Sequence, residues 1–412
     1  MFVRLAVKSL LNRKGSALLT LMAMTVSIFV LLGVEHIRHQ AKESFGNTVS
    51  GVDLIVGART GSLNLLLYSV FRIGSPTNNI SWASYEEIAS NRDVAWAIPI
   101  SLGDSHKGYR VMGTTRDYFE YFSYGSKRKL SFAEGEAFSD LFDVVLGAEV
   151  AKELGYKLGD KLILAHGVAS TSFSQHDDRP FHVVGILAAT GTPVDQALHV
   201  SLEGIEAIHI DWQQGVKIPG STITPEQLER EKLKPKAITA CMLGLKSRMV
   251  TFRVQRGINN FAGEPLMAIL PGVALSELWQ MMGMLENTLR LISVLIMVSA
   301  LLGLSAMLLA SIREREQEVR LLRIIGAPPV FVFLLIEMEA LLISLLSIGL
   351  GASILYMCLV LVGDFLASGF GLHISTNIFS EQTMFLLPLV IVSTIIAAAI
   401  PSLNAYRSAR IQ

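Results

Sequence analysis

Five histidines, His166, His176, His182, His199 and His209, fall within one 44-residue stretch, and Asp177 and Asp178 follow the second of them. Imidazole with carboxylate is a zinc-type ligand set, and an oxygen-rich loop could complete the coordination sphere. His166, His176, Asp178 and His182 are the metal candidates. His166 and His182 flank an expected hairpin loop that carries the other two. Their spacing matches no zinc pattern, so a solvated hairpin tip with scattered histidines is the stronger reading. Other chemistry is sparser still. No G-x-x-x-x-G-K-[ST] phosphate loop occurs: Gly244-Leu245-Lys246-Ser247 lacks the glycine-lysine step, and Gly349-Leu350-Gly351 lies inside an apolar run. G-x-S-x-G and H-E-x-x-H are also absent. The chain therefore reads as no enzyme, with no catalytic residue. Its two cysteines, Cys241 and Cys358, fall in different compartments of the expected topology, which argues against a disulfide between them.

A second polar feature lies between two apolar runs. From Ser311 to Ala327 the chain alternates Glu314, Glu316 and Glu318 with Arg313, Arg315 and Arg320, then adds Leu321, Leu322, Arg323, Ile325 and Gly326. Interleaved charges of both signs suit a polar, salt-dependent docking face, and the three aliphatic residues could anchor it in a groove. The plainer reading is a solvated surface helix held by pairs one turn apart.

The elements that must position this segment are membrane spans. The 412 residues are 51% hydrophobic and 17% charged, against about a quarter charged in soluble domains. The apolar excess falls into four runs. Ala17–Val34 is uncharged, and eighteen residues reach about 27 Å as a helix, close to a hydrocarbon core. Glu35-His36-Ile37-Arg38 follows in place of a cleavage site, so the run reads as an uncleaved anchor. Leu291–Ile312 is the second run. Ser299 with Gly303, and Ala306 with Ala310, give it small residues at helical spacing, fit for a dimer seam or for packing within one protomer. The third follows Pro328-Pro329, carries Glu337 and Glu339 early, and is charge-free from Ala340 to Gly363; the fourth is Met384–Leu403. Four arginines in the 313–327 loop and basic flanks at both ends, against no Lys or Arg in 364–383, put both termini and the charged segment in the cytoplasm. Residues 2–14 read as a short amphipathic helix on the inner leaflet, with Phe2, Leu5, Ala6 and Leu10 on one face.

The expected organisation is an amphipathic helix over 1–14 and spans over 15–39, 281–312, 330–363 and 384–403. The charged segment is 313–329, a short external loop is 364–383 and a tail is 404–412. Residues 40–280 face outward. Within them Val94–Ile100, Asp143–Leu146, Lys161–Ala165 and Phe181–Leu187 read as strands. Ser84–Asn91 and Ala148–Leu154 read as helices, the second stopped by Gly155. Gly147, Gly155, Gly159 and Gly185 suit turns and strand bends. The fold class is an α-helical membrane protein with four transmembrane helices and a large α/β extracytoplasmic domain inserted between the first and second. Zero net charge gives no ground for a nucleic-acid partner.

Several phrases of the insert resemble the periplasmic domain of MacB-like permeases: Gly113-Thr114-Thr115-Arg116-Asp117-Tyr118-Phe119, Val144-Val145-Leu146-Gly147-Ala148-Glu149-Val150-Ala151, Leu158-Gly159-Asp160, Phe181-His182-Val183-Val184-Gly185-Ile186-Leu187 and Gly191-Thr192-Pro193-Val194-Asp195. With the four spans and the charged segment, the resemblance to FtsX/MacB-type ABC permeases covers nearly the whole chain. It implies a multi-pass protein of the bacterial inner membrane with a periplasmic insert, itself a homodimer. A dimer of separate ABC ATPase subunits would bind ATP, and this chain would hold no cofactor directly. Arg313, Glu314, Arg315, Glu316, Glu318, Arg320, Leu321, Arg323 and Gly326 would couple to that ATPase. Membrane lipids and a periplasmic adaptor, carrier or lipoprotein are the other implied partners. The implied activity is export or extraction of a lipid-like, lipoprotein, peptide or drug substrate. An FtsX-like mechanical relay controlling a periplasmic enzyme, or a zinc-linked ABC system, is the alternative.

Overall fold

The computed structural model describes residues 2–48, 50–166, 179–210, 212–213, 216–217, 233–314, 328–370, 377–378 and 381–411. The chain divides into two compact units. One comprises residues 1–41, 282–365 and 374–412, and the other residues 42–281 with 366–373.

The helices in chain order are α1 (Phe2–Asn12), α2 (Lys14–Asn47), α3 (Ser62–Leu66), α4 (Trp82–Ala89), α5 (Asp117–Tyr121), α6 (Ala148–Leu154), α7 (Leu202–His209), α8 (Thr251–Asn259), α9 (Pro271–Glu314), α10 (Pro329–Phe370) and α11 (Glu381–Ile411). Four of them, α2, α9, α10 and α11, contain stretches long and apolar enough to cross a membrane: Lys14–Lys42, Pro271–Glu314, Pro329–Val362 and Thr383–Arg407. Proline opens both α9 and α10, where its missing N–H costs no helical bond. The third span continues as helix to Phe370, and the tail after Leu403 is helical to Ile411.

In the helical unit one face of each span is sealed by Met24, Ala300, Leu304, Leu308, Val332, Ile336, Ala340 and Ala398. Short polar side chains tie the helices where apolar contact gives little preference for a neighbour. Ser27 donates to the Ile296 carbonyl at 3.3 Å, Ser347 to that of Leu21 at 3.3 Å, Ser305 to that of Ala397 at 2.9 Å, and Thr394 to Ser344 at 3.1 Å. Helix α1 adds Ala6 and Ser9 to the buried side and leaves Val3, Val7 and Leu11 exposed. One face of it is therefore spent on protein, and the aliphatic residues of the other remain available to lipid. The small residues of α9 do not serve packing within this chain. Ser299, Gly303, Ala306 and Ala310 are all exposed, and a Cβ on Gly303 would meet nothing.

The inserted unit is built on an eleven-stranded sheet. Its strands are β1 (Leu54–Ala58), β2 (Val94–His106), β3 (Tyr109–Thr114), β4 (Phe132–Gly135), β5 (Asp143–Leu146), β6 (Lys161–Leu162), β7 (Ala165–His166), β8 (Phe181–Leu187), β9 (Ala197–Ser201), β10 (Ala240–Leu245) and β11 (Leu266–Ile269). The main path runs β11-β1-β10-β2-β3-β9-β5-β8-β4, with β7 on β2 and β6 on β8. The pairs β3–β9 and β5–β8 are parallel, and the rest are antiparallel. The long strand β2 joins the halves: Val94–Ile100 pairs with β10 and Ser101–His106 with β3. At the changeover Thr239 takes over from the ladder, its hydroxyl accepting from the Leu102 N–H at 3.0 Å.

Alternation along the strands buries both faces of the sheet. Ile55, Ile98, Met112, Val145 and Met242 point into one layer, covered by α3, the π-turn Leu67–Phe71 and α5. Leu54, Val56, Cys241 and Leu243 point the other way, under α4 and α8, as do Val111, Val144, Leu146 and Val200 near α6 and α7. Helices α4 and α7 are capped by Ser81 and Ser201, which accept from the N–H groups of Ser84 and Gly204 at 3.3 and 3.0 Å. Gly155 ends α6 at φ 69°, the left-handed position that favours glycine.

One expected strand divides. Lys161–Leu162 pairs with β8, whereas Ala165–His166 leaves to pair with Ser105 and Asp104 of β2. The cause is burial of Leu164, which turns the chain inward between the two pieces. His166 therefore lies on a different ladder from His182 and not across a hairpin from it.

Candidate functional site

In the helical unit two groups of charged side chains join one helix to another. Arg13 sits at the α1–α2 junction. Its guanidinium donates to the Ser311 carbonyl at 2.8 Å and pairs with Glu314 at 3.0 Å. Ser9 on α1 donates to the Glu339 carboxylate of α10. These contacts fasten α1 to the last turn of α9 and the first turns of α10, on both sides of the charged segment. Glu337 and Glu339 are both buried. The second group lies toward the other ends of α2 and α9. Glu35 pairs with Arg38 and, at 3.5 Å, with Arg290, and Arg38 pairs with Glu286 at 3.5 Å. Two acids and two bases thus clasp α2 to α9, and Arg38, whose charge runs against the expected orientation, is neutralised there. Four partly shielded charges in one network hold geometry better than an isolated surface pair, which is worth roughly 0–1 kcal/mol.

Of the expected coupling residues, Arg313 and Glu314 end α9 and are exposed, Glu314 with 67% of its side chain in solvent. Arg315, Glu316, Glu318, Arg320, Leu321, Arg323 and Gly326 lie outside the described residues. The role of Arg13 as a partner of Glu314 was not legible from spacing, because the two are 301 positions apart.

Of the metal candidates, His176 and Asp178 lie outside the described residues, His166 is in β7, and His182 is exposed on β8 opposite Lys161. Among the described residues no group of three or more His, Cys, Asp or Glu could hold a metal ion. Three further histidines of the insert, His106, His209 and His199, are held by packing and hydrogen bonds. His106 donates from Nδ1 to the Ile163 carbonyl at 2.6 Å, which leaves Nε2 to accept from the Tyr156 hydroxyl at 2.9 Å. Burial, aided by Lys107, holds its pKa below the usual value despite that carbonyl. His209 lies 3.6 Å from Asp104. Burial opposes its charging, but the carboxylate outweighs burial and raises its pKa.

His199 is fully buried, stacked on Tyr118 at 5.3 Å and edge-on to Phe119 at 6.0 Å. Burial and then the charge of Arg72 hold it well below the usual imidazole range. Arg72 itself is 9% exposed and closes the π-turn at φ 60°, ψ 24°. That left-handed conformation costs a residue with a Cβ about 1 kcal/mol. Its Nη2 reaches the Tyr118 hydroxyl at 3.4 Å, while Nε and Nη1 are buried without a hydrogen-bond partner. Arg110 donates to the carbonyl of Gly74, two residues beyond Arg72, at 2.7 Å. The sequence did hold a signal for this cluster: no Asp or Glu occurs between Asp53 and Glu86, so Arg72 has no local counter-ion.

The phrases quoted above meet in this unit. Gly147 opens α6 against the turn Thr190–Asp195. That turn is closed by the Asp195 carboxylate, which accepts from the N–H groups of Thr190 and Gly191 at 2.9 and 2.7 Å. A Cβ on Gly147 would lie 2.4 Å from the carbonyl oxygens of Val194 and Asp195.

Residues 17–230 match the family model of the MacB-like periplasmic core domain, and residues 290–409 that of the FtsX-like permease C-terminal region. Among solved structures, the periplasmic region of MacB from Actinobacillus actinomycetemcomitans is 10% identical. It covers 56% of this chain and 94% of its own length, with a TM-score of 0.36. The extracellular domain of the noncanonic ABC-type transporter YknZ from Gram-positive bacteria is 11% identical, covering 53% and 98%, with a TM-score of 0.31. No curated protein matches.

Proposed function

This chain belongs to the FtsX/MacB-type permeases of ABC transporters, and from that premise we propose that it is the permease subunit that a separate ATPase moves. Both termini and the 313–329 segment lie in the cytoplasm of a bacterial cell, and the insert stands outside the inner membrane. ATP binds and is hydrolysed in a dimeric partner docked on Arg313–Gly326. Two copies of this chain associate through the exposed small-residue face of α9. Closure of the ATPases shifts α2 and α9 together and changes the shape of the insert. The work done is export or extraction of a lipid-like, lipoprotein, peptide or drug substrate, with an adaptor or carrier outside.

The observation that carries this reading is the double fastening of α9, once to the α1–α2 junction and once to α2. Arg13, just before α2, holds Ser311 and Glu314 beside the docking segment, and the Glu35–Arg38–Glu286–Arg290 clasp joins α2 to α9 toward their other ends. A pair tied at both places moves as a unit. Transport is favoured over a relay because the MacB-like match spans most of the insert.

The reading is tested by purifying the chain from its native membrane, with and without charge reversal at Glu314, Glu316 and Glu318, and identifying the bound proteins by mass spectrometry. The expected outcome is an ATPase retained by the native chain and lost on reversal. Absence of an ATPase from both preparations overturns the proposal.

A further inference from the structure

Arg72 violates three local preferences at once. It sits in the backbone region that favours glycine, its guanidinium is buried, and among the described residues no carboxylate pairs with it. A buried charge stripped of its partner is costly, and local rules broken together mark sites kept for something other than stability. Its surroundings add a second guanidinium. Arg110 is tethered to the Gly74 carbonyl on the same turn, and burial, then the charge of Arg72, disfavours the charging of Arg110. Asp195, whose field reaches Tyr118, has its carboxylate engaged by Thr190 and Gly191. The turn meets solvent directly after Arg72, at Ile73, Gly74 and Ser75.

We propose that Arg72 and Arg110, with the Tyr118 hydroxyl, form a binding site for a phosphate-type oxyanion in the inserted domain. Two guanidinium forks on one small group are the usual protein solution for phosphate. The entering oxyanion replaces the Gly74 carbonyl as acceptor for Arg110 and supplies the acceptor that Nε and Nη1 of Arg72 lack. Tyr118 donates its hydroxyl proton to the same group. The ligand is a free oxyanion or the headgroup of a phosphate-bearing lipid, with exposed Ile73 beside the entrance in the second case. The site is independent of how the ATPase docks, so either proposal can fail alone.

The test is thermal unfolding of the detergent-solubilised full chain, titrated at constant ionic strength with inorganic phosphate and, separately, with dioctanoyl phosphatidic acid. The expected result is a saturable rise in unfolding temperature. Its midpoint moves at least tenfold in Arg110→Gln, the rise is abolished in Arg72→Gly, and Arg116→Gln leaves it unchanged. Arg72→Gly, relieved of strain and of a buried charge, unfolds at a higher temperature than the native chain when no anion is present. A midpoint at least tenfold lower for the lipid assigns the headgroup as the source, and equal midpoints assign the free anion. The proposal is overturned if neither probe gives a saturable rise, if the rise survives both substitutions, or if Arg72→Gly is destabilised without anion, which would make Arg72 a structural residue.

Discussion

Burial lowers the pKa of His106, and lowers that of His199 further, in the folded insert, whereas in the unfolded chain they take up protons near pH 6.5. Their contribution to stability is therefore complete above that pH and is lost as pH falls from 6.5 toward the lower folded value. Each unit of that interval costs about 1.4 kcal/mol per group. His209 has the opposite sign, because Asp104 raises its folded pKa: its contribution is present below 6.5 and is lost as pH rises through the folded value. Glu206, its carboxyl pKa raised by burial, acts in the same sense as His209, so each group's share is read from its own variant. Replacing His199 with Phe keeps the ring between Tyr118 and Phe119 and removes one titrating group. The drop in unfolding temperature between pH 7.5 and 5, followed by near-ultraviolet circular dichroism, should be smaller in His199→Phe than in the native chain, and an equal drop would exclude His199 as a source of acid sensitivity. Gly147 makes a separate case. Its backbone, at φ −66° and ψ 153°, is open to any residue, so only the carbonyl oxygens pressed against its missing Cβ require glycine. Gly147→Ala should cost about 2 kcal/mol, seen as a fall of roughly 5 °C in unfolding temperature.

At the scale of elements, helix α9 has two faces with different employment. Met297, Ala300, Leu304 and Leu308 are buried in the helical unit, while Ser299, Gly303, Ala306 and Ala310 look away from it. Small residues on an outward face allow a second helix backbone to come close. If that face is the seam between two copies, Gly303→Leu should separate them without unfolding either. Cross-linking yield in membranes should fall several-fold while the unfolding temperature shifts by less than about 0.5 kcal/mol in equivalent stability. Unchanged cross-linking would move the seam elsewhere. The clasp at Glu35, Arg38, Glu286 and Arg290 belongs to the same scale: its acids and bases are drawn from two helices that no local pattern brings together.

Across the whole molecule, what could be read in advance was whatever repeats over short distances. Runs such as Ala340–Gly363 announced spans because a bilayer admits little else. Asp143–Leu146, Phe181–Leu187 and Ala148–Leu154 announced their strands and helix to the residue. The phrases that suggested a family prove to be β3, β5 and β8 in one half of the sheet, with the helices and turns packed on it, that is, architecture. Illegible were the contacts made by chain closure: Arg13 with Glu314, the two ladders that separate His166 from His182, and the placing of Arg72 beside Tyr118 and Arg110. Each depends on tertiary register, which spacing along one segment does not encode. Cys241 carries a last consequence. It is wholly enclosed in β10, beside β1 and β2, and burial pushes its thiol up to about 12. A thiol in that state ignores oxidants and alkylating reagents for as long as the sheet stays shut. Its slow modification by a water-soluble maleimide therefore works as a clock, timing how often the centre of the insert breathes open, with no label added to the chain.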